Sequence, residues 1–169
     1  MKIIIKFIFY LFLSFLFSFN NNQNINVENN ISNDYYFLLK IPKINLETKV
    51  YSFYDEMNNV DKGVYLVKNY DFTSLKGSLI LASHSGNSSI SYFKNLDMLL
   101  NGDIVSIIFN NKYYYYEIID IYKIDKTGKF KYDDFDRGIY LITCDKKSNK
   151  KQLVFKGKLI KISKKSTFL

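Results

Sequence analysis

One histidine and one cysteine occur in the 169 residues, His84 and Cys144, and the only arginine is Arg137. A His/Cys metal centre needs three or four ligands, so single copies argue against one. They suit a nucleophile and its acid/base partner. A thiol attacks as thiolate, and a nearby imidazole can take its proton and later protonate a leaving amine. The plainer reading of an isolated pair is a buried structural cysteine and a hydrogen-bonded loop histidine. Ser83 and Ser85 flank His84, but no Gly-x-Ser-x-Gly elbow points to a serine nucleophile.

Context places both residues at strand ends. His84 closes the apolar run Leu79-Ile80-Leu81-Ala82-Ser83 and precedes the loop Ser85-Gly86-Asn87. Cys144 closes Ile139-Tyr140-Leu141-Ile142-Thr143 and opens the polar loop Asp145 to Lys151. Two strand ends about 60 positions apart can meet at one rim of a barrel. Strands are expected near Phe37–Ile41, Thr48–Tyr51, Gly63–Val67, Ser78–Ser83, Ile104–Phe109, Tyr113–Ile124, Gly138–Thr143 and Leu153–Ile162. Asn110-Asn111 marks a hairpin. Ser91–Leu100 reads as a helix, with Phe93, Leu96, Leu99 and Leu100 on one face and Asn101-Gly102 closing it. The sum is an all-β fold, a closed eight-stranded barrel with one or two short helices.

The front of the chain is different. Residues 1–19 place Lys2 and Lys6 before an apolar run, as in a secretory signal or an N-terminal membrane anchor. The run ends without a small-x-small cleavage site, which favours an uncleaved anchor with a cleaved signal as the alternative. Residues 20–34 are Asn-rich and read as a tether, leaving 35–169 as the folded domain. The expected location is the cell membrane, single-pass, with the domain outside. An unpaired thiol there is an oxidation liability unless it is used, which favours the catalytic reading of Cys144. The charge of +8 is spread over lysines scattered along the whole chain and forms no stripe, so nucleic acid is not an expected partner.

Leu141-Ile142-Thr143-Cys144 resembles the Leu-x-Thr-Cys signature of sortases, membrane-anchored cysteine transpeptidases of Gram-positive bacteria. Ser78 to Gly86 is similar to their histidine strand and loop. Phe93-Lys94-Asn95-Leu96-Asp97 and Asn101 to Val105 resemble the helix and the Gly-Asp strand start that come next in the family. Ile41-Pro42-Lys43-Ile44 and Lys62-Gly63-Val64 fit as well, so the likeness runs from about Leu38 to Ile162. The resemblance implies a sortase-type barrel that binds a sorting-signal peptide, commonly of the Leu-Pro-x-Thr-Gly type, in a groove. The cysteine forms a thioester, which an amine from a peptidoglycan precursor or a pilin lysine resolves. Mapped here, Cys144 is the nucleophile and His84 the acid/base, with Thr143, Ser83 and Lys151 expected at the substrate.

The pattern breaks at the third catalytic residue, an arginine early in the last long strand of the family. By its spacing to Gly157, Gln152 stands there, keeping an amide donor and losing the charged fork. Arg137 cannot replace it, because a strand from Gly138 to Thr143 puts it on the order of 23 Å from Cys144. Lys150 or Lys151 could bring a cation as a point charge. The alternative function is a catalytically impaired sortase-fold protein that only binds sorting-signal peptides. No cofactor is required. Asp133, Asp134 and Asp136 could supply part of a calcium shell, but a solvated acidic turn explains them more simply.

Overall fold

The computed structural model describes residues 35–164. The membrane segment expected at 1–19 and the tether at 20–34 lie outside them, and among the described residues no helix is long and apolar enough to cross a membrane. Eight strands form one sheet: β1 (Phe37–Ile41), β2 (Leu46–Val50), β3 (Tyr65–Leu66), β4 (Ser78–Ala82), β5 (Ile104–Phe109), β6 (Lys112–Asp125), β7 (Gly138–Cys144) and β8 (Lys151–Lys164). Their order is β2-β1-β5-β6-β8-β7-β4-β3. Each expected strand is present, with β3 shorter and β6 and β8 longer than the sequence pattern suggests. The sheet curls into a nearly closed barrel, which corrects the closed one expected: β2 and β3 end the order with no ladder between them.

Curvature comes from local devices. Asn110 and Asn111 take φ of 46° and 56°, the left-handed pair a two-residue hairpin needs, and asparagine tolerates it better than most residues. The β6–β8 ladder slips between Tyr115/Tyr116 and between Ile118/Asp120. Ile160 of β8 and Ile119 of β6 are the surplus residues of these bulges, and both are exposed. Bulges bend a long strand pair, which lets β6 and β8 wrap the core. Along β6, Tyr114 and Tyr116 turn inward and are buried, while Tyr113 and Tyr115 stack on the outside with centroids 5.9 Å apart. Burial pushes the Tyr116 hydroxyl far above its ordinary value.

Ser91–Leu100 is not the helix its apolar spacing suggests. It is a run of turns around a single 3₁₀ turn, Leu96–Met98. Hydrogen bonds run from Lys94, Leu96, Met98 and Leu99 N–H to the carbonyl three residues back. That tighter winding has a period of three, so Phe93, Leu96 and Leu99 share a buried face and Leu100 swings out to 63% exposure. Ten residues are also too few to nucleate an α-helix without strong packing support.

The sheet has two apolar faces. The inner one carries the main core, with Leu79 and Leu81 of β4, Ile139 and Leu141 of β7 and Phe155 of β8. The outer one carries a second cluster built from Ile80, Tyr140, Ile142 and Val154, with Val67, Ala82, Tyr122 and Ile124 around them. Over its far end lies the β6–β7 connection, whose Phe130, Tyr132 and Phe135 ring the buried Tyr140 at 5.4, 5.5 and 6.1 Å. Aromatic pairs of this kind contribute about 0.5–1.5 kcal/mol each beyond their buried area. The same connection is tied by the Tyr140 hydroxyl donating to the Asp133 carbonyl at 3.0 Å.

Candidate active site

Pleating decides which side chains meet. Ladder partners share a face, and Ala82, Ile142, Val154 and Tyr122 stand in one row across β4, β7, β8 and β6. Two residues further along, on the same outer face, Cys144 pairs with Gln152 and Gln152 with Ile124. His84 lies two residues beyond Ala82, in step with Cys144 across the parallel β4–β7 pair, whose pattern Ser83 N–H continues by donating to the Ile142 carbonyl at 3.2 Å. Cys144 and Gln152 thus share the rim with the loop that carries His84, next to the apolar cluster of Ala82, Ile142, Val154 and Tyr122. Cys144 is a free, half-buried cysteine.

The backbone that presents them is fixed. The Ser85 hydroxyl donates to the Cys144 carbonyl at 2.8 Å, and Phe93 N–H donates to the His84 carbonyl at 3.1 Å. Thr143 and Ser83, expected at the substrate, turn the other way and are buried. The Thr143 hydroxyl donates to the Ser83 carbonyl at 2.8 Å, clamping β7 to the end of β4, and the Ser83 hydroxyl donates to the Gly63 carbonyl at 3.2 Å. Both hydroxyls thus serve to register the two strand ends. Lys151 begins β8 next to Gln152 and pairs with Asp125 at 2.8 Å, on the strand beyond. Arg137 adjoins the opposite end of β7, where its N–H donates to Leu75 and its carbonyl accepts from Leu159.

Two further acids belong to the site. Asp145, directly after the thiol, is buried and knits the β7–β8 turn. One carboxylate oxygen accepts from Lys123 Nζ at 2.7 Å and the other from Lys147 N–H at 3.0 Å. The Lys123 ammonium, helped by that N–H, holds the Asp145 carboxyl below its ordinary value of 3.8. Asp61, from the connection between β2 and β3, reaches the imidazole: its Oδ1 lies 3.1 Å from His84 Nε2. Nothing in the local sequence announces either contact, since Asp61 and His84 are 23 residues apart. The Asn-rich stretch around Asn58 and Asn59 signals only a turn.

The acidic turn before β7 has structural work. Asp134 binds Lys68 Nζ at 3.0 Å and Ser78 N–H at 2.9 Å, Asp136 accepts from Gly77 N–H at 2.8 Å, and Asp133 pairs with Lys156 at 3.3 Å. Among the described residues no group of three His, Cys, Asp or Glu could hold a metal ion.

Comparison with known proteins gives one family. The family model described as Sortase domain matches residues 39–160. Among solved structures, sortase A of Listeria monocytogenes superposes with a TM-score of 0.66 at 23% identity, over 79% of this chain and 92% of that one. Sortase C1 of Streptococcus agalactiae gives 0.63 at 22% identity, over 76% and 69%. Sortase C of Streptococcus pneumoniae, a structure described in connection with pilin substrate specificity, gives 0.62 at 20%, over 76% and 68%. At these identities the likeness is one of fold. Comparison with curated proteins finds no match.

Proposed function

The chain belongs to the sortase family, and from that premise we propose that it is a cysteine transpeptidase acting on sorting-signal peptides. The observation that carries this reading is the rim that a half-buried cysteine and an amide share with the loop carrying an imidazole, next to an apolar cluster. A peptide laid along the rim packs its apolar side chains against the partly exposed Ala82 and Tyr122, and the chain beyond the scissile bond passes Cys144. The thiolate adds to the carbonyl carbon, His84 protonates the leaving nitrogen, and an acyl thioester remains. An amine, from a peptidoglycan precursor or a pilin lysine, then takes the acyl group. The N-terminal segment holds the domain at the outer surface of the membrane, where such substrates occur.

Gln152, opposite Cys144, supplies an amide N–H to the oxygen that becomes negative as the thiolate adds. A neutral donor stabilises that charge less than a guanidinium fork does. This same residue favours the second reading, a sortase-fold protein that binds sorting signals without turning them over. Incubation with a Leu-Pro-x-Thr-Gly peptide and intact-mass measurement separates the two. The transpeptidase gives an acyl adduct that Cys144→Ala abolishes, and full turnover by that variant would end the enzymatic reading. A binder gives no adduct, even where the bound peptide shields the thiol from alkylation.

A further inference from the structure

We propose that Asp61 is a positioning residue for His84, holding the imidazole by Nε2–H so that Nδ1 is the atom that exchanges the proton of the reaction. The inference rests on the transpeptidase reading for its catalytic consequence, but the contact stands without it. An ionised carboxylate only accepts hydrogen bonds, so the 3.1 Å approach of Asp61 Oδ1 puts a proton on Nε2. In the neutral ring the lone pair is then at Nδ1.

An exposed ion pair seldom holds a side chain still, and Asp61 is 75% exposed against 39% for His84. Here the backbone beneath it is already fixed. Asn58, buried, copies a strand partner: its Oδ1 accepts from Leu66 N–H at 2.7 Å and its Nδ2 donates to the Leu66 carbonyl at 3.0 Å. Asn59 closes the turn, its Oδ1 accepting from Asp61 N–H at 2.9 Å and its carbonyl accepting from Lys62 and Gly63 N–H. The Gly63 carbonyl in turn takes the hydroxyl of Ser83, the residue before His84. Acid and imidazole are thus mounted on two segments joined one residue from the histidine. Little freedom is left to lose when the pair forms, and the pair spends its strength on the ring's orientation.

Protons balance across the two halves of the reaction. Sγ bonds to the carbonyl carbon, the C–N bond breaks, and the imidazolium gives its Nδ1 proton to the departing nitrogen. In the second half an amine bonds to the same carbon, Sγ leaves as thiolate, and Nδ1 takes the surplus proton of the amine. Through both halves Nε2–H stays on Asp61.

The test uses the full-length, tag-free protein in detergent with ¹⁵N-labelled histidine, where the single histidine gives the only ring signals. With the ring neutral, the wild type is expected to show the Nε2–H tautomer almost alone, and Asp61→Ala a several-fold larger share of Nδ1–H. In thioester formation, Asp61→Ala is expected to lower kcat on the order of 10- to 100-fold with KM unchanged, and Asp61→Glu to recover part of it. An unchanged tautomer mixture, or an unchanged kcat, overturns the proposal. A wild type that forms no thioester overturns the transpeptidase reading instead, and the tautomer measurement still decides the role of Asp61.

Discussion

Gln152 concentrates the chemistry of this site into one substitution. It faces Cys144 across the β7–β8 ladder, and in the proposed reaction its amide is the donor to the developing oxyanion. Gln152→Ala is expected to slow single-turnover thioester formation by about 10²–10³-fold, the usual effect of losing one such donor. Gln152→Arg is expected to accelerate it, because a charged fork replaces a neutral amide; rapid-quench mass measurement reads both. A slower arginine variant would mean that the site is fitted to glutamine. Cys144 and His84 stand out in the sequence as candidates because each is the only residue of its type and each ends an apolar run. Asp61 is not, since one aspartate among many exposed acids carries no mark of the imidazole it will meet. Sequence neighbours alone suggest Thr143 and Ser83 as substrate contacts, whereas the pleat sends their hydroxyls inward.

At the scale of elements, side chains that imitate backbone hold the loops in place. Asn58 satisfies both polar groups of Leu66 from within the β2–β3 connection. Asn58→Ala leaves two buried backbone groups unpaired and is expected to destabilise the fold by about 1–3 kcal/mol, read by urea unfolding. Gly138 shows the same economy of space. A methyl group there would collide with the Ser78 hydroxyl and the Phe135 ring. Gly138→Ala is therefore expected to displace the aromatic β6–β7 connection and weaken peptide binding, measured as a rise in KM. The β7–β8 turn depends on an ionised Asp145. Its native carboxyl titrates below 3.8, so its contribution is present in full above that value and fades as pH falls below it towards the depressed native pKa. Asp145→Asn is expected to lower the melting temperature at pH 6, with the difference from the wild type shrinking as pH falls below 3.8. Ser91–Leu100 departs from its expected helix for a related reason: its leucines fit two windings, and only the packing of Leu100 outside the core distinguishes a period of three from 3.6.

For the whole molecule, the strand order is beyond the reach of the sequence even though every strand is visible in it. Alternation marks which residues form strands, but pairing of β7 with β4 in parallel and with β8 antiparallel depends on contacts far apart in the chain. The order predicts how the barrel opens. β6 and β8 share a ladder of 14-residue strands at its centre, while β3 is two residues long and ends the sheet. Hydrogen exchange is expected to be slowest in β6 and β8 and fastest around β3 and the turn that carries Asp61. The parallel β4–β7 pair has one more consequence. The ends of β4 and β7, which lead into His84 and Cys144, meet only when some 60 intervening residues are closed into a loop, an entropically expensive step. A newly made, still extended chain carries nothing more than an ordinary sulfhydryl. Any influence of neighbouring strands on that sulfhydryl is therefore absent until the two strand ends have met.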